Sequence, residues 1–252
     1  MTIEITLIGT GVAMPQPHRV QSGILVNLDS PILFDCGSGV LPRLLDYASI
    51  GHVFLTHLHL DHVADVMSLI KAKWLCGSHD LQIYGPSGTK EWLSRVFDAY
   101  PYMIGKMNVE VFEMADQDRI PVGRYEIICA RTAHGMPSLG YGIADEAGRV
   151  RVVYSGDTEP IKSIAALASG ADLLIHECSF PDSVPDVTNH TTPRMLGDMM
   201  VGVAVGQIVL THLYPHTIGL EDTMVATVHE YCGCDVTIGK DMETIVLDSA
   251  CS

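Results

Sequence analysis

Cations are scarce in this sequence: fifteen Lys plus Arg stand against thirty Asp plus Glu in 252 residues, for a formal net charge of −15. A surface of that sign repels polyanions as a whole, so binding along a nucleic-acid backbone would depend on a local basic patch. Long apolar runs are missing too. The longest weakly polar stretch, Met195 to Leu210, is broken by Asp198 and by Gly and Gln residues, and never reaches the roughly 18 apolar residues that a spanning helix needs. The first ten residues carry Glu4 inside an alternating pattern and have no basic segment leading into an apolar one, so no secretory leader is expected. Cysteine is present without a pairing pattern. Cys36, Cys76, Cys129, Cys178, Cys232, Cys234 and Cys251 are odd in number and form no Cys-x-x-Cys pair, which favours reduced thiols over a disulfide framework. Together these absences predict a cytoplasmic protein with no membrane span.

With 47% hydrophobic residues the chain can bury a substantial core. Ile3, Ile5 and Leu7 alternate with polar residues, the period of a half-buried strand, and Ser22 to Leu28 with Pro31 to Phe34 reads as a hairpin. Val40 to Tyr47 has helical spacing. Short apolar strands (His52 to Leu55, Leu81 to Tyr84) then alternate with helical segments (about Val63 to Leu75, about Thr89 to Tyr100), and strands dominate from Asn108 to Ala130. The second half repeats this logic. Strands at Val150 to Tyr154, Asp172 to Ile175 and Gln207 to Leu210 alternate with helices from about Pro160 to Ala168, Pro193 to Val205 and Glu221 to Tyr231, before a terminal hairpin over Asp235 to Leu247. No Pro/Gly/Ser linker interrupts the alternation, so residues 1–252 are read as one α/β domain of two similar halves, about 1–130 and 131–252. Val53-Phe-Leu-Thr-His-Leu58 and Ile208-Val-Leu-Thr-His-Leu213 are matching segments that put a histidine after a strand in each half, where an open sheet presents ligand groups.

The chemistry concentrates in Thr56-His57-Leu58-His59-Leu60-Asp61-His62, which holds three imidazoles and a carboxylate at a strand end. His57 and His59, two apart in an extended segment, point the same way, while Asp61 and His62 fall where the chain enters a helix. Such a set can serve two adjacent divalent ions through imidazole nitrogen and carboxylate oxygen. His134 and Asp157 each lie at a strand end beside glycine, and His212 is the twin of His57.

His-x-His-x-Asp-His after a buried strand resembles the signature of the metallo-β-lactamase superfamily. Gly9-Thr-Gly11, Phe34-Asp-Cys-Gly37, Thr132-Ala-His134, Ser155-Gly-Asp157-Thr, His176-Glu177, His190-Thr-Thr and Leu210-Thr-His212 follow in the order of its ribonuclease Z-like branch. The resemblance implies a four-layer αβ/βα sandwich with the metals at one edge. It implies that His57, His59 and His134 bind one metal, that Asp61, His62 and His212 bind a second, and that Asp157 bridges them. Two such ions would hold a hydroxide between them as nucleophile. Asp61 resembles the family's general base, and His190, oriented by Glu177, is the candidate general acid; the other reading of His190 is a loop residue capping the helix near Pro193. Asp35 is expected behind a ligating imidazole, or else as a turn residue before glycine. Zinc suits the donors first, with manganese or iron also compatible.

Ribonuclease Z cuts the 3′ trailer from precursor tRNA using a basic inserted arm and a Pro-x-Lys-x-Arg-Asn loop. Here that loop reads Pro15-Gln-Pro17-His-Arg19-Val20, and the interval from His134 to Asp157 leaves room for a hairpin alone. With cations limited to residues such as Arg19, Lys71, Lys73, Arg149 and Arg151, the sequence ranks a small or cyclic phosphodiester substrate first and tRNA processing behind it. Lactone, thioester or aryl sulfate hydrolysis stays open, as does a homodimer. A non-enzymatic scaffold ranks last because all seven candidate ligand positions hold His or Asp.

Overall fold

The computed structural model describes residues 2–248, so Cys251 lies outside the described residues. The chain forms two seven-stranded mixed sheets. The first takes β1 (Ile3–Gly9), β2 (Gly23–Asn27), β3 (Pro31–Phe34), β4 (His52–Phe54), β5 (Asp80–Gly85) and β6 (Asn108–Glu113). The second takes β7 (Arg119–Val122), β8 (Tyr125–Arg131), β9 (Leu139–Ala144), β10 (Val150–Tyr154), β11 (Leu173–Glu177), β12 (Gln207–Thr211) and β13 (Asp235–Ile238). The last strand, β14 (Glu243–Leu247), returns to the first sheet, antiparallel to β1.

Strand alternation sorts side chains into layers. Ile3, Ile5, Leu7, Phe34 and Phe54 of the first sheet meet Ile127, Tyr141, Val152 and Ile175 of the second in one buried cluster between the sheets. The outer faces are covered by helices. Leu33, Val53 and Ile83 pack under α2 (Val66–Leu75) and α3 (Thr89–Ala99), which follow the single turn α1 (Leu60–Val63). Val153, Leu174 and Ile208 pack under α4 (Lys162–Ala168), α5 (Pro193–Met200) and α6 (Glu221–Cys232). This is the four-layer αβ/βα sandwich that the resemblance implies. Met103 and Met200 are fully buried and fill these outer clusters. Among the described residues no helix is long and apolar enough to cross a membrane.

Three elements differ from the sequence reading. Val40 to Tyr47 forms only a 3-10 turn at Leu41–Arg43, with another at Tyr47–Ser49. Pro42 has no amide to donate, Asp65 accepts the Gly39 and Leu41 amides at 2.9 and 3.1 Å, and Leu44 turns extended. The helix at Pro193 ends at Met200 instead of Val205. The terminal pair is not a hairpin: β13 runs parallel to β12 while β14 crosses to the other sheet. Asp241 pins that crossing by accepting from the Thr10 amide and hydroxyl at 2.9 and 2.6 Å.

Parallel pairing puts the chemistry at one edge. β3 and β4 run parallel, as do β10, β11 and β12, so their carboxyl ends gather on the same side of each sheet. There the two sheets are bonded directly to one another. The Leu139 amide donates to Thr56 O at 2.9 Å, Tyr141 hydroxyl to Leu55 O at 2.6 Å, and Tyr154 hydroxyl to Asp35 Oδ2 at 3.0 Å.

Candidate metal centre

All nine site residues expected from the sequence lie at this edge. His57 and His59 follow β4, Asp61 and His62 occupy α1, His134 follows β8, Asp157 follows β10, Glu177 ends β11, His190 precedes α5, and His212 follows β12. Six donor atoms fall into two sets of three, with the Asp157 carboxylate between them. His57 Nε2 and His134 Nε2 approach His59 Nδ1 at 2.9 and 3.1 Å, and His57 Nε2 is 3.7 Å from Asp157 Oδ2. In the other set His212 Nε2 is 3.3 Å from His62 Nε2 and 3.4 Å from Asp61 Oδ2. The second oxygen, Asp157 Oδ1, lies 3.4 Å from both His62 Nε2 and His212 Nε2.

These separations suit metal coordination. Donors held 2.0–2.2 Å from a tetrahedral ion sit about 3.3–3.6 Å apart along its edges, and the separations scatter around that range. Asp157 Oδ1 is buried without a hydrogen-bond partner among the described residues. An ionised oxygen left so would cost several kcal/mol unless a cation satisfies it, so this carboxylate fits a shared metal ligand.

The surrounding residues hold the imidazoles by their other nitrogens. His62 Nδ1 donates to Asp35 Oδ2 at 2.8 Å, which leaves Nε2 as the free donor. Asp35 is fully buried and also accepts from the Thr56 amide and hydroxyl at 2.8 and 2.9 Å, so it supports the imidazole and is more than a turn residue. Thr56 Oγ1 lies 3.0 Å from His57 Nδ1. His134 Nδ1 donates to Asn189 O at 2.8 Å, and Ser179 Oγ is 3.0 Å from His212 Nδ1. Asp35 and His212 both adopt left-handed backbone, φ 56° and 55°, which turns the chain sharply as it leaves each strand. At φ 58°, Gly156 passes where a Cβ would lie 2.7 Å from Thr56, so a side chain there would push Asp157 out of place.

Glu177 is the hub of the opposite wall. It is fully buried, accepts from the Thr158 amide at 3.0 Å and from the Ser179 hydroxyl at 2.6 Å, and faces His190 Nδ1 at 2.9 Å. It therefore holds His190 directly and His212 through Ser179. His190 does not cap α5; Thr192 does, accepting from the Met195 amide. Sequence reading missed Thr56, Tyr154, Ser179 and Asn189 as supports. Only Ser179 carried a signal, being two residues from Glu177 and so on the same side of an extended chain.

Electrostatics divide the two sets. Burial, reinforced by neighbouring imidazoles, lowers the His57 and His59 pKa values and keeps those rings neutral. Burial alone would do the same to His62, but the Asp157 and Asp35 carboxylates outweigh it and raise its pKa well above the ordinary value. Burial opposes ionisation of Asp61, yet His212 and His62 hold its carboxyl at about 2. His190 is raised, because the Glu177 carboxylate overcomes the effect of burial.

The basic residues expected to attract tRNA are largely spent. Arg19 turns inward to Thr10 and to Gly239 O, Lys73 is buried with its ammonium on Ala48 O, Ile50 O and Ser78, and Arg149 and Arg151 pair with Asp172. Lys71 lies 4.0 Å over the Trp74 ring.

Fold and site together define a metal-dependent hydrolase. Residues 31–213 match the β-lactamase superfamily domain. The chain is 31% identical to the ribonuclease Z of Mycobacterium marinum, with 96% of this chain and 98% of that protein covered. The metallo-β-lactamase fold protein YhfI from Bacillus subtilis superposes with a TM-score of 0.83 at 25% identity, covering 98% of this chain and all of that one. The short form of human tRNase Z gives a TM-score of 0.78 at 25% identity, covering 96% of this chain and 98% of that one. The chain belongs to the β-lactamase superfamily, in its ribonuclease Z-like branch.

Proposed function

We propose that this chain is a two-metal phosphodiesterase that acts on RNA, with the 3′ ends of precursor tRNA as its first substrate. The observation that carries the phosphodiesterase reading is the placement of Asp157, with Oδ2 facing His57, His59 and His134 and the unpartnered Oδ1 facing His62 and His212. The sequence alone ranks small phosphodiesters above tRNA; relatives named ribonuclease Z and tRNase Z over nearly the whole chain reverse that order. The same reading treats residues 1–252 as one domain, since His57 to His62 come from one sheet and the other ligands from its partner, and assigns it to the cytoplasm on its unpaired cysteine pattern.

In this reading His57, His59 and His134 hold one ion, Asp61, His62 and His212 the other, and Asp157 both; zinc suits the donors, with manganese and iron as alternatives. Bound divalent ions would supply an activated water and charge neutralisation at phosphorus. Asp61, kept ionised by its imidazole neighbours, accepts a proton from the nucleophile. His190, kept protonated by Glu177, delivers one to the leaving oxygen. Asp35 and Ser179 keep His62 and His212 in the tautomers that ligation needs.

A second reading, small or cyclic phosphodiesters, is favoured by one feature. Between His134 and Asp157 the chain makes only the antiparallel pair β9–β10, joined over Asp145 to Arg149, and carries no inserted arm. Metal-stripped protein, reloaded with Zn²⁺ or Mn²⁺, should be given precursor tRNA, cyclic dinucleotides and bis(p-nitrophenyl) phosphate. Trailer release supports the first reading. Turnover of the small diesters without trailer release moves the assignment to the second, and turnover of none by protein carrying two ions sinks both in favour of lactone, thioester or sulfate esters.

A further inference from the structure

Arg131 is a cation outside the set that the sequence singled out. Along β8, Ile127 and Cys129 face the cluster between the sheets while Ala130 faces the helices, so Arg131 continues the inner face to the metal edge and emerges exposed there. Its backbone is fixed at both ends: the amide donates to Asp116 Oδ1 at 2.8 Å and the carbonyl accepts from Ser163 Oγ at 2.5 Å. Its guanidinium, in contrast, has no ion-pair or hydrogen-bond partner among the described residues. Other arginines, such as Arg43, Arg119, Arg149 and Arg151, spend their charge on carboxylates.

Arg131 shares a cavity of about 530 Å³ with His134, walled by Met114, Met136, Pro86 and Pro137. That volume suits a small ligand or one nucleotide unit. One planar cation with five donors, beside apolar walls and next to a metal-facing imidazole, is the chemistry that takes a phosphate together with a flat ring. We propose that this cavity binds the nucleotide adjoining the scissile phosphate, with the neighbouring phosphate on Arg131 and the base against Met114 and Met136. Arg131 is thus a specificity-determining residue that favours oligonucleotides over isolated diesters, an inference that rests on the phosphodiesterase reading above.

Steady-state kinetics of the metal-loaded protein test it, comparing a 5′-phosphorylated trinucleotide with bis(p-nitrophenyl) phosphate, which has no second phosphate. Arg131→Ala should raise the trinucleotide KM about 10- to 100-fold with little change in its kcat, the loss of one charge-assisted contact. The trinucleotide-to-diester ratio of kcat/KM should fall by the same factor, Arg131→Lys should recover part of it, and the salt dependence of binding should weaken by about one charge. An unchanged ratio, or a fall in kcat for both substrates alike, overturns the proposal. If wild-type protein hydrolyses neither substrate, the phosphodiesterase reading fails by itself. Anisotropy titration with a fluorescent 5′-phosphorylated tetranucleotide then decides on Arg131: weaker binding by Arg131→Ala upholds the subsite, and equal affinity rejects it.

Discussion

Asp35 Oδ2 lies 2.8 Å from His62 Nδ1, and the same oxygen accepts the Tyr154 hydroxyl at 3.0 Å. One buried carboxylate from the first sheet thus aims an imidazole of α1 and receives a phenol from the second. Burial, together with the Asp35 and Asp157 carboxylates, raises the Tyr154 pKa well above its ordinary value, so this phenol stays a donor. Asp35→Asn should weaken one of the two metal-binding events about 10- to 100-fold and leave the other nearly unchanged. Calorimetric metal titration would show it; equal weakening of both events, or of neither, would detach Asp35 from His62.

Asp61→Ala and His62→Ala each remove a donor from the same three-residue set. Turnover should drop by at least roughly 10²-fold in each, with the circular dichroism spectrum retained. Near-wild-type activity in both variants would mean that the centre has been misplaced.

The role of His190 can be read from the leaving group. A p-nitrophenolate departs without a proton, whereas a ribose alkoxide needs one, so His190→Ala should lose about 10²- to 10⁴-fold in kcat on RNA and far less on bis(p-nitrophenyl) phosphate. Glu177→Gln should follow the same pattern, because Glu177 orients and charges His190 across 2.9 Å. Equal losses on both substrates would indicate a structural role for this pair.

The two sets should part with metal at different pH. His57 and His59 have lowered pKa values and offer neutral rings, while His62 has a raised one, so a proton competes with its metal over a wider range. Lowering the pH from about 7.5 to about 5.5 should therefore release one ion first, with affinity for it falling up to roughly tenfold per pH unit for each proton displaced. Stoichiometry by atomic absorption after dialysis should pass through one metal per chain; loss of both together would contradict the asymmetry.

Gly156→Ala is expected to cost more than its size suggests. The residue is left-handed at φ 58° and a Cβ would lie 2.7 Å from Thr56, so the variant must shift Asp157, Thr56 or both. Metal affinity should fall with a loss of stability of about 1–3 kcal/mol, readable by denaturant titration.

The sequence by itself determined what depends on near neighbours along the chain. Alternation wrote β1, two short apolar segments wrote the β2–β3 hairpin, and the local run His57 to His62 needed only a strand end and one helical turn to present its donors, which β4 and α1 supply. The order of motifs located His134, Asp157 and His212: parallel pairing brings the carboxyl ends of β10 and β12 to one edge, and β8 runs in the same sense as β10 across the antiparallel β9. Tertiary structure decided what depends on distance in space. Whether Asp35 turned a corner or held an imidazole depended on His62 arriving 27 residues later and Tyr154 on the other sheet. The sequence could not separate free cations from spent ones, since Arg19 and Lys73 find their partners only in the folded chain, while the Arg131 guanidinium has no partner among the described residues and shares a cavity with His134. The terminal strands parted for the same reason. Nothing between Asp235 and Leu247 says that two sheets await them; β14 is held beside β1 by its ladder and by Ile245 and Leu247 against the inter-sheet core, with Asp241 bound to Thr10 at the crossing.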